Sequence, residues 1–572
     1  MESVDIAPHG VNMIPSRSTV TALGREMIME SIRAAENQLH NLYAQTHSLQ
    51  NELNKVTADK LIVESRCRTV EDEIVHWKSL LAPIHRIAPE TIIHIFELCC
   101  AGNNLTASGP SIRHTTPRLL VLSAVCARWR DLALGTPSLW TSFAVDVHGH
   151  CVSPTSLYCL TRLFIDRSRN LLLDMRVGYA IGDENNAYDF FQLLANNSRR
   201  WCSLALKITT EASYQSHFEN IRGEVPELQK LALTFAGVGP ATVGDFLLRA
   251  FEDAPSLHTL DLDMELASTG VLIPWSQIKD IKLRSGHVHD TLNILSKLPM
   301  AEHVSVEVLF QDQEAFVVPE VCLPKVKSLS FCIGTEPRSD ADGALTDLLK
   351  HCTFSTLESL SITQLYPPMT QAWDEPWKTG CIRDLIHRSS CSLTTLHICY
   401  VPIADFDLVS ILELTPALVT LHVLEGFPET YYIGNSRRKN ITITSHFLRR
   451  LSVHWHETFE HAKTRFVENI IVPRLQHLEL NVYYTDLDQA LLINAIVSRC
   501  PSTDRLDRQL SKNDGISKLQ SWLRSVKLAI QVDGDRQDTE TLFLLLCFKN
   551  SGVMVDMNVV QETVYDVAEI DV

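Results

Sequence analysis

The sequence predicts an α/β protein: a long N-terminal helix, a small helical segment, and then an elongated array with parallel strands on its concave side and helices on its convex side. Three observations carry this expectation. Apolar residues recur every 3.5 positions between Ile32 and Leu81, two apolar helical runs follow Pro83, and one short leucine-containing phrase returns ten times after Pro226. Repeats fuse into one body, so they outrank a division of the 572 residues by average domain size. The expected segments are a disordered 1–19, a helix over 20–82, a helical unit over 83–145, the array over 146–552, and a C-terminal cap or tail over 553–572.

The long helix comes first. With Ile32, Leu39, Leu53, Cys67, Ile74 and Leu81 at a, the d positions are Ala35, Leu42, Leu49, Val56, Val63, Val70 and Trp77; Thr46 and Lys60 are the polar exceptions at a. A 3.5-residue period held over seven heptads is the pattern of a coiled coil, because a single amphipathic helix drifts off it. No Pro or Gly interrupts the run, and Pro83 stops it. The seam can pair with itself as a homodimer through residues 32–81, or the helix can pack on the same chain. In a parallel pair Arg66–Glu71 and Glu73–Lys78 attract across g to e′, while Asp59–Glu64 repels.

Next come Ile84–Cys100 and, after a polar stretch, Leu119–Phe143. Pro89 suits the first helical position and Glu90 the positive end of the helix dipole. Ile92, Ile93, Ile95, Phe96 and Leu98 cover most of one short helix, and Leu119, Leu122, Val125, Trp129 and Leu132 follow at helical spacing up to Gly135 and Pro137. Three short helices in under 60 residues cannot hide every apolar side chain, which points to a partner surface.

This segment resembles the F-box. The matching residues are Pro89-Glu90-Thr91-Ile92-Ile93, Ile95-Phe96, Val125-Cys126-Ala127-Arg128-Trp129-Arg130 and Pro137-Ser138-Leu139-Trp140. Ala88 stands where the family has leucine, and Ala101–Arg118 is longer than the family's loop and is expected to be exposed and flexible. The resemblance implies binding to the Skp-type adaptor of an SCF ubiquitin ligase, and through it to a cullin and a RING subunit. It makes Pro89, Ile92, Ile93, Phe96, Val125, Cys126, Trp129 and Trp140 the adaptor contacts. Together with the heptad helix and irregular leucine repeats, the chain is similar to the expanded F-box families of mushroom-forming fungi.

The array follows. Its phrase is an apolar residue, two variable positions, an apolar, one variable, an apolar. It recurs at 226–233, 255–262, 276–283, 299–306, 324–331, 355–362, 391–398, 416–423, 446–453 and 473–480, with looser copies at 201–206 and 523–528. Leucines at i, i+3 and i+5 fit a short strand, and a helical stretch between copies, such as Val243–Phe251 or Thr291–Leu298, completes a leucine-rich repeat. One repeat buries too little alone, and stacking makes a continuous core. The residue between the last two apolar positions points away from that core. Ala232, Asp261, Lys282, Ser305, Ser330, Ser361, His397, His422, Ser452 and Glu479 therefore form the candidate target-binding row, or equally a plain solvated face; of these, all but Ala232 are the candidate site residues.

Composition bounds the function. Hydrophobic content of 45% and charged content of 21% suit a protein with a substantial core. A net charge of −17, from 51 basic and 68 acidic residues, repels phosphate backbones and anionic lipid, so neither nucleic acid nor a membrane is an expected partner. The nearest approach to a basic run, Ser436–Asn440, reads as a loop. Fifteen cysteines without a CxxC pair indicate a reducing compartment. The first residues lack a secretory signal, and the most apolar run, Leu542–Phe548, is far short of the roughly 20 residues that span a bilayer. The expected location is intracellular, cytoplasmic and/or nuclear.

Catalytic and cofactor patterns are not met. Gly237-Val-Gly239 through Gly244 misplaces its third glycine for a dinucleotide loop and reads as a repeat turn. His454, His456, Glu457 and His461 do not have zinc-protease spacing. No sequence pattern places a nucleophile, base and oxyanion donor together. No enzyme, cofactor or metal is expected. The expected function is target recognition for an SCF-type ligase; the alternative is a coiled-coil and leucine-rich-repeat scaffold outside any ligase.

Overall fold

The computed structural model describes residues 22–100, 102–105, 117–148, 154–180, 184–208, 221–235, 249–263, 272–310, 320–333, 341–364, 380–401, 403–425, 441–453, 470–483, 487–500, 521–532 and 553–561. Among them no helix is long and apolar enough to cross a membrane. The chain divides into two units, residues 1–92 and 93–572.

Helix α1 (Ala22–Leu80) runs for 59 residues. Between Arg25 and Leu80 it has neither Pro nor Gly, so nothing breaks its backbone hydrogen bonds. Each of residues 25–79 is exposed. A 3-10 turn (Pro83–Arg86) ends the run, and Pro89 opens helix α2 (Pro89–Cys100), where its missing N–H costs no intrahelical bond.

The second helical run is two helices rather than one. Helices α3 (Arg118–Val125) and α4 (Ala127–Gly135) meet at Cys126, whose backbone is extended at φ −157°, ψ 169°. A 3-10 turn at Pro137–Trp140 follows. The expectation that Ala101–Arg118 is exposed and flexible needs correction at its start. Asn103–Asn104 forms strand β1 beside strand β2 (Ser142–His148), and the Leu105 N–H donates to the Ala144 carbonyl at 2.7 Å. Asn103 and Leu105 are buried, and the Asn103 side chain accepts from the Leu119 N–H at 3.2 Å, so polar satisfaction ties the stretch down. Residues 106–116 lie outside the described residues.

The strands that follow are β3 (Leu173–Ala180), β4 (Trp201–Ile208), β5 (Lys230–Phe235), β6 (Thr259–Asp263), β7 (Asp280–His287), β8 (His303–Phe310), β9 (Val321–Cys322), β10 (Ser328–Ile333) and β11 (Cys352–Thr353). After them come β12 (Ser359–Gln364), β13 (Thr395–Cys399), β14 (Thr420–Leu424), β15 (His477–Tyr483), β16 (Ser525–Val532) and β17 (Met554–Gln561). Fifteen form one sheet in chain order, and β9 with β11 forms a separate pair. Every pairing is parallel, so each connection must cross over. Described helices in these crossovers are α5 (Pro154–Arg167), α6 (Glu184–Ala195), α7 (Val288–Leu295), α8 (Ala341–Lys350), α9 (Gly380–Ser389), α10 (Asp405–Glu413), α11 (Ser445–Leu451) and α12 (Gln489–Val497). This is a solenoid-like α/β fold.

The leucine phrase explains the order. Its first apolar residue is fully buried in each described strand approach, from Leu228, Leu257 and Ile278 to Leu418 and Leu475. The next residue then donates its N–H to the matching carbonyl one strand back: Gln229 to Cys202, His258 to Gln229, Lys279 to His258, and onward to Arg524, at 2.7–3.1 Å. One row of apolar side chains and one row of backbone bonds thus set the register together. Each fully buried leucine contributes about 1.5–3 kcal/mol against exposure.

One copy of the phrase is not a strand. His446–Val453 was expected in the sheet, but Ser445–Leu451 is α11, and β14 pairs directly with β15. Phe447, Leu448 and Leu451 are buried at helical spacing, and the Thr444 hydroxyl caps the helix by accepting from the N–H groups of His446 and Phe447. Leu448, Leu451 and Val453 match the repeat phrase while Phe447, Leu448 and Leu451 match a helix face, and the cap goes with the helix. Strands β2, β3 and β17 extend the sheet beyond the expected copies; β17 (Met554–Gln561) is its last strand among the described residues and pairs with β16. Residues 1–19, Gly237–Gly244, the expected helix Val243–Phe251 as far as Leu248, Ser436–Asn440, His454–His461, Pro501–Gly515, Leu542–Phe548 and 562–572 lie outside the described residues.

Arginines at helix ends clasp successive crossovers. Arg200 donates to the Leu171 carbonyl at 2.9 Å and the Ser168 hydroxyl at 2.6 Å, beyond the end of α5. Arg388, in the last turn of α9, donates to the Cys352 carbonyl at 3.0 Å and to that of Leu349 at the end of α8. Arg499, after α12, donates to the carbonyls of Leu451 (2.7 Å), Val472 (3.1 Å) and Ile471 (2.8 Å). Each satisfies carbonyls that a helix end or turn leaves without an intrahelical donor.

Candidate functional site

The expected target-binding row is largely assembled. Strand register places Ala232, Asp261, Lys282, Ser305, Ser330, Ser361, His397, His422 and Glu479 opposite one another on β5, β6, β7, β8, β10, β12, β13, β14 and β15. The apolar residues on either side of each (leucine, isoleucine or valine, and Phe331 after Ser330) point into the core, so period-two alternation turns this row to the open face. Ser452 does not belong to it: it follows α11, is buried, and donates its hydroxyl to the Leu448 carbonyl at 2.8 Å.

Three zones divide the row. At β6–β8, Arg284 forks onto Asp261 with Nε–Oδ1 2.8 Å and Nη2–Oδ2 2.6 Å, while Lys282 pairs with Glu307 at 2.5 Å. Arg284 also approaches Glu307 at 4.0 Å, so the four charges form one network. These side chains are partly exposed, and such pairs add little stability. They fix an alternating charge pattern on the surface. The middle zone, Ser305, Ser330 and Ser361, is short and polar.

The third zone spans β13–β16. The rings of His397 and His422 stack at 4.1 Å with planes 1° apart. His422 Nε2 lies 3.6 Å from Glu479, and Lys527 Nζ lies 3.8 Å from the same carboxylate. Burial pushes both imidazoles below their usual range, and the neighbouring imidazole lowers His397 further; Glu479 acts in the opposite sense on both. The zone therefore offers neutral, stacked rings beside an anion already shared by a lysine.

Arg284, Glu307 and Lys527 are missing from the row read in the sequence. The signal for them was present: Arg284 and Glu307 stand two positions after Lys282 and Ser305, on the same face, and Lys527 occupies the row position of the looser copy at 523–528. Among the described residues, no group of three or more His, Cys, Asp or Glu side chains is arranged to hold a metal ion.

The residues assigned to adaptor contact divide by accessibility. Ile92, Phe96 and Trp140 are buried. The Trp140 indole donates to the Ala133 carbonyl at 2.8 Å and meets Phe164 edge-on at 4.9 Å, which makes it a core side chain. Pro89 and Val125 are exposed, and Ile93, Cys126 and Trp129 are half-buried. Trp129 meets Phe96 edge-on at 5.1 Å. Exposed large apolar residues not assigned to contact include Ile84 in the 3-10 turn, Ile95 and Leu98 on α2 and Val121 on α3; Leu98 is 68% exposed and Val125 59%. Spacings of i, i+3 for Ile95–Leu98 and i, i+4 for Val121–Val125 put each pair on one helix face.

No family model matches the chain, and no curated protein matches it.

Proposed function

We propose that this chain is a non-enzymatic substrate-recognition subunit of an SCF-type ubiquitin ligase, built as an F-box followed by leucine-rich repeats. Residues 84–143 take the Skp-type adaptor, and the open face of the sheet takes a protein target. The carrying observation is the exposure of Ile95, Leu98, Val121 and Val125 on short helices that bear the F-box motif residues. Four large apolar side chains held in water at helical spacing are suited to burial by a partner. The row from Asp261 to Lys527, with paired charges, hydroxyls and stacked imidazoles, suits a polar protein surface. The mechanism is proximity: holding a target beside the charged conjugating enzyme raises its effective concentration, and no catalytic residue is needed in this chain.

A second reading is an interaction scaffold outside the ligase. It is favoured by the burial of Ile92, Phe96 and Trp140, which removes three of the eight resemblance-based contacts from the accessible surface.

A pull-down with purified Skp-type adaptor separates the two. It compares the full chain with a Leu98→Asp/Val125→Asp variant, changed only at exposed positions so that the fold is retained. Binding by the wild type and its loss in the variant support the receptor. A folded wild type that does not bind leaves the scaffold.

A further inference from the structure

Helix α1 presents an apolar surface that is exposed among the described residues. Ten large apolar side chains of the heptad seam are exposed, from Ile32 and Leu39 to Ile74 and Trp77. In globular proteins a helix is stabilised mainly by packing its apolar face, and a seam this long is not left in water by a stable monomer. The occupant can be read from the charges that flank the seam.

We propose that the chain is a parallel, in-register homodimer through α1, independent of any ligase role. In that arrangement g-to-e′ contacts pair Arg66 with Glu71 and Glu73 with Lys78, each twice by symmetry, with Asp59–Glu64 as the repulsive contact. That contact falls at the layer of Lys60, whose ammonium already lies 3.6 Å from Glu64 in its own chain and offsets the local negative charge. Antiparallel pairing over the same seam places a opposite d. It brings Glu52 against Asp59 and Glu36 against Glu71, each twice, and creates no attractive pair. The charge pattern therefore selects the parallel form, and a buried lysine at one a position favours the in-register layer, since any whole-heptad shift sets at least one of the two Lys60 side chains against Leu53, Cys67, Ile74 or another apolar residue.

Cys67 supplies the test. It occupies an a position and is an exposed free thiol. Parallel, in-register pairing sets it opposite its own copy, at the roughly 6 Å Cα separation that a disulfide accepts; antiparallel pairing sets it opposite Leu42. Oxidised glutathione removes two electrons and two protons from the facing thiols and leaves as two reduced glutathione molecules.

The experiment is sedimentation equilibrium of the full chain under reduction, followed by oxidation and non-reducing electrophoresis of wild type and Cys67→Ser. The expected result is twice the 64.4 kDa chain mass, a covalent dimer in the wild type, and loss of that dimer, but not of the doubled mass, in Cys67→Ser. Leu49→Asp/Val56→Asp, at two exposed d positions, is expected to halve the mass while leaving the sheet signal in circular dichroism unchanged. A single-chain mass in the wild type overturns the dimer. A doubled mass without a Cys67-dependent cross-link overturns the parallel, in-register arrangement, as does any higher mass. None of these outcomes depends on adaptor binding.

Discussion

Arg499 donates to the Leu451 carbonyl across 48 residues of chain at 2.7 Å, and this bond closes the end of the helix that replaces an expected strand. Arg499 is 1% exposed, and its guanidinium donates to three backbone carbonyls. Burial pushes its pKa down to about 10, which still leaves it charged at neutral pH. One of its acceptors, Val472, has φ +43°, a left-handed conformation that a β-branched residue adopts only when its surroundings hold it there.

Arg499→Met keeps much of the volume and removes every donor. The carbonyls of Leu451 and Ile471 then lose this donor, while that of Val472 keeps the Leu475 N–H at 3.2 Å. The cost is about 1–3 kcal/mol for each carbonyl left unsatisfied, less what is regained by no longer burying a charge. A net loss of about 2–4 kcal/mol is expected in urea unfolding. An unchanged midpoint would show that the clasp contributes nothing.

Glu425 makes a second clasp. Its carboxylate accepts from the N–H groups of Ile441 and Thr442 at 2.6 Å and of Ile443 at 3.1 Å. Burial outweighs these bonds and pushes its pKa up to about 7. A carboxyl whose pKa is raised by folding stabilises most below its unfolded value of 4.5, and that contribution is lost as pH rises through about 7. The stability difference between wild type and Glu425→Gln should therefore shift against the wild type from pH 5 to pH 8. A flat difference across that range would contradict the raised pKa.

The stacked imidazoles titrate the other way. Folding lowers the pKa of both His397 and His422, so the unfolded chain binds protons first as pH drops below 6.5. The expected outcome is a wild-type melting temperature that falls more steeply from pH 7 to pH 5 than that of His397→Gln/His422→Gln. Comparing wild type with variant isolates this effect from Glu425, which is common to both.

Leu396 is fully buried on β13, in the middle of the array. Leu396→Ala should cost about 2–5 kcal/mol, from lost transfer energy and the cavity left behind. Equilibrium unfolding with hydrogen exchange on β12 and β14 tests it, because the loss should spread to the two strands that share its register. Exchange confined to β13 would argue that neighbouring repeats are not coupled.

Much of this architecture was legible because one residue spacing serves packing and pairing at once. Leu228, Leu231 and Leu233, and their counterparts as far as Leu475, Leu478 and Leu480, mark strand after strand with no knowledge of the fold. The outward row from Asp261 to Glu479 follows from the same alternation. Strands β2 and β3 carried a weaker form of the signal, Phe143-x-Val145 and Leu173-x-Met175-x-Val177, without the leading phrase. The clasps of Arg200, Arg388 and Arg499 were not legible, since their partners are carbonyls, which every residue has.

The sequence by itself determined the long helix, the chain-order parallel array and most of its open row, Ser452 excepted, because periodicity is a local property that side-chain direction converts directly into a face. Tertiary structure alone decided that Phe447, Leu448 and Leu451 lie on a helix, since β14 and β15 pair directly and Thr444 caps α11. It alone decided that Ile92, Phe96 and Trp140 turn inward while Leu98 and Val125 face water. All five are large and apolar, and which of them finds a covering neighbour depends on contacts that no spacing along the chain records.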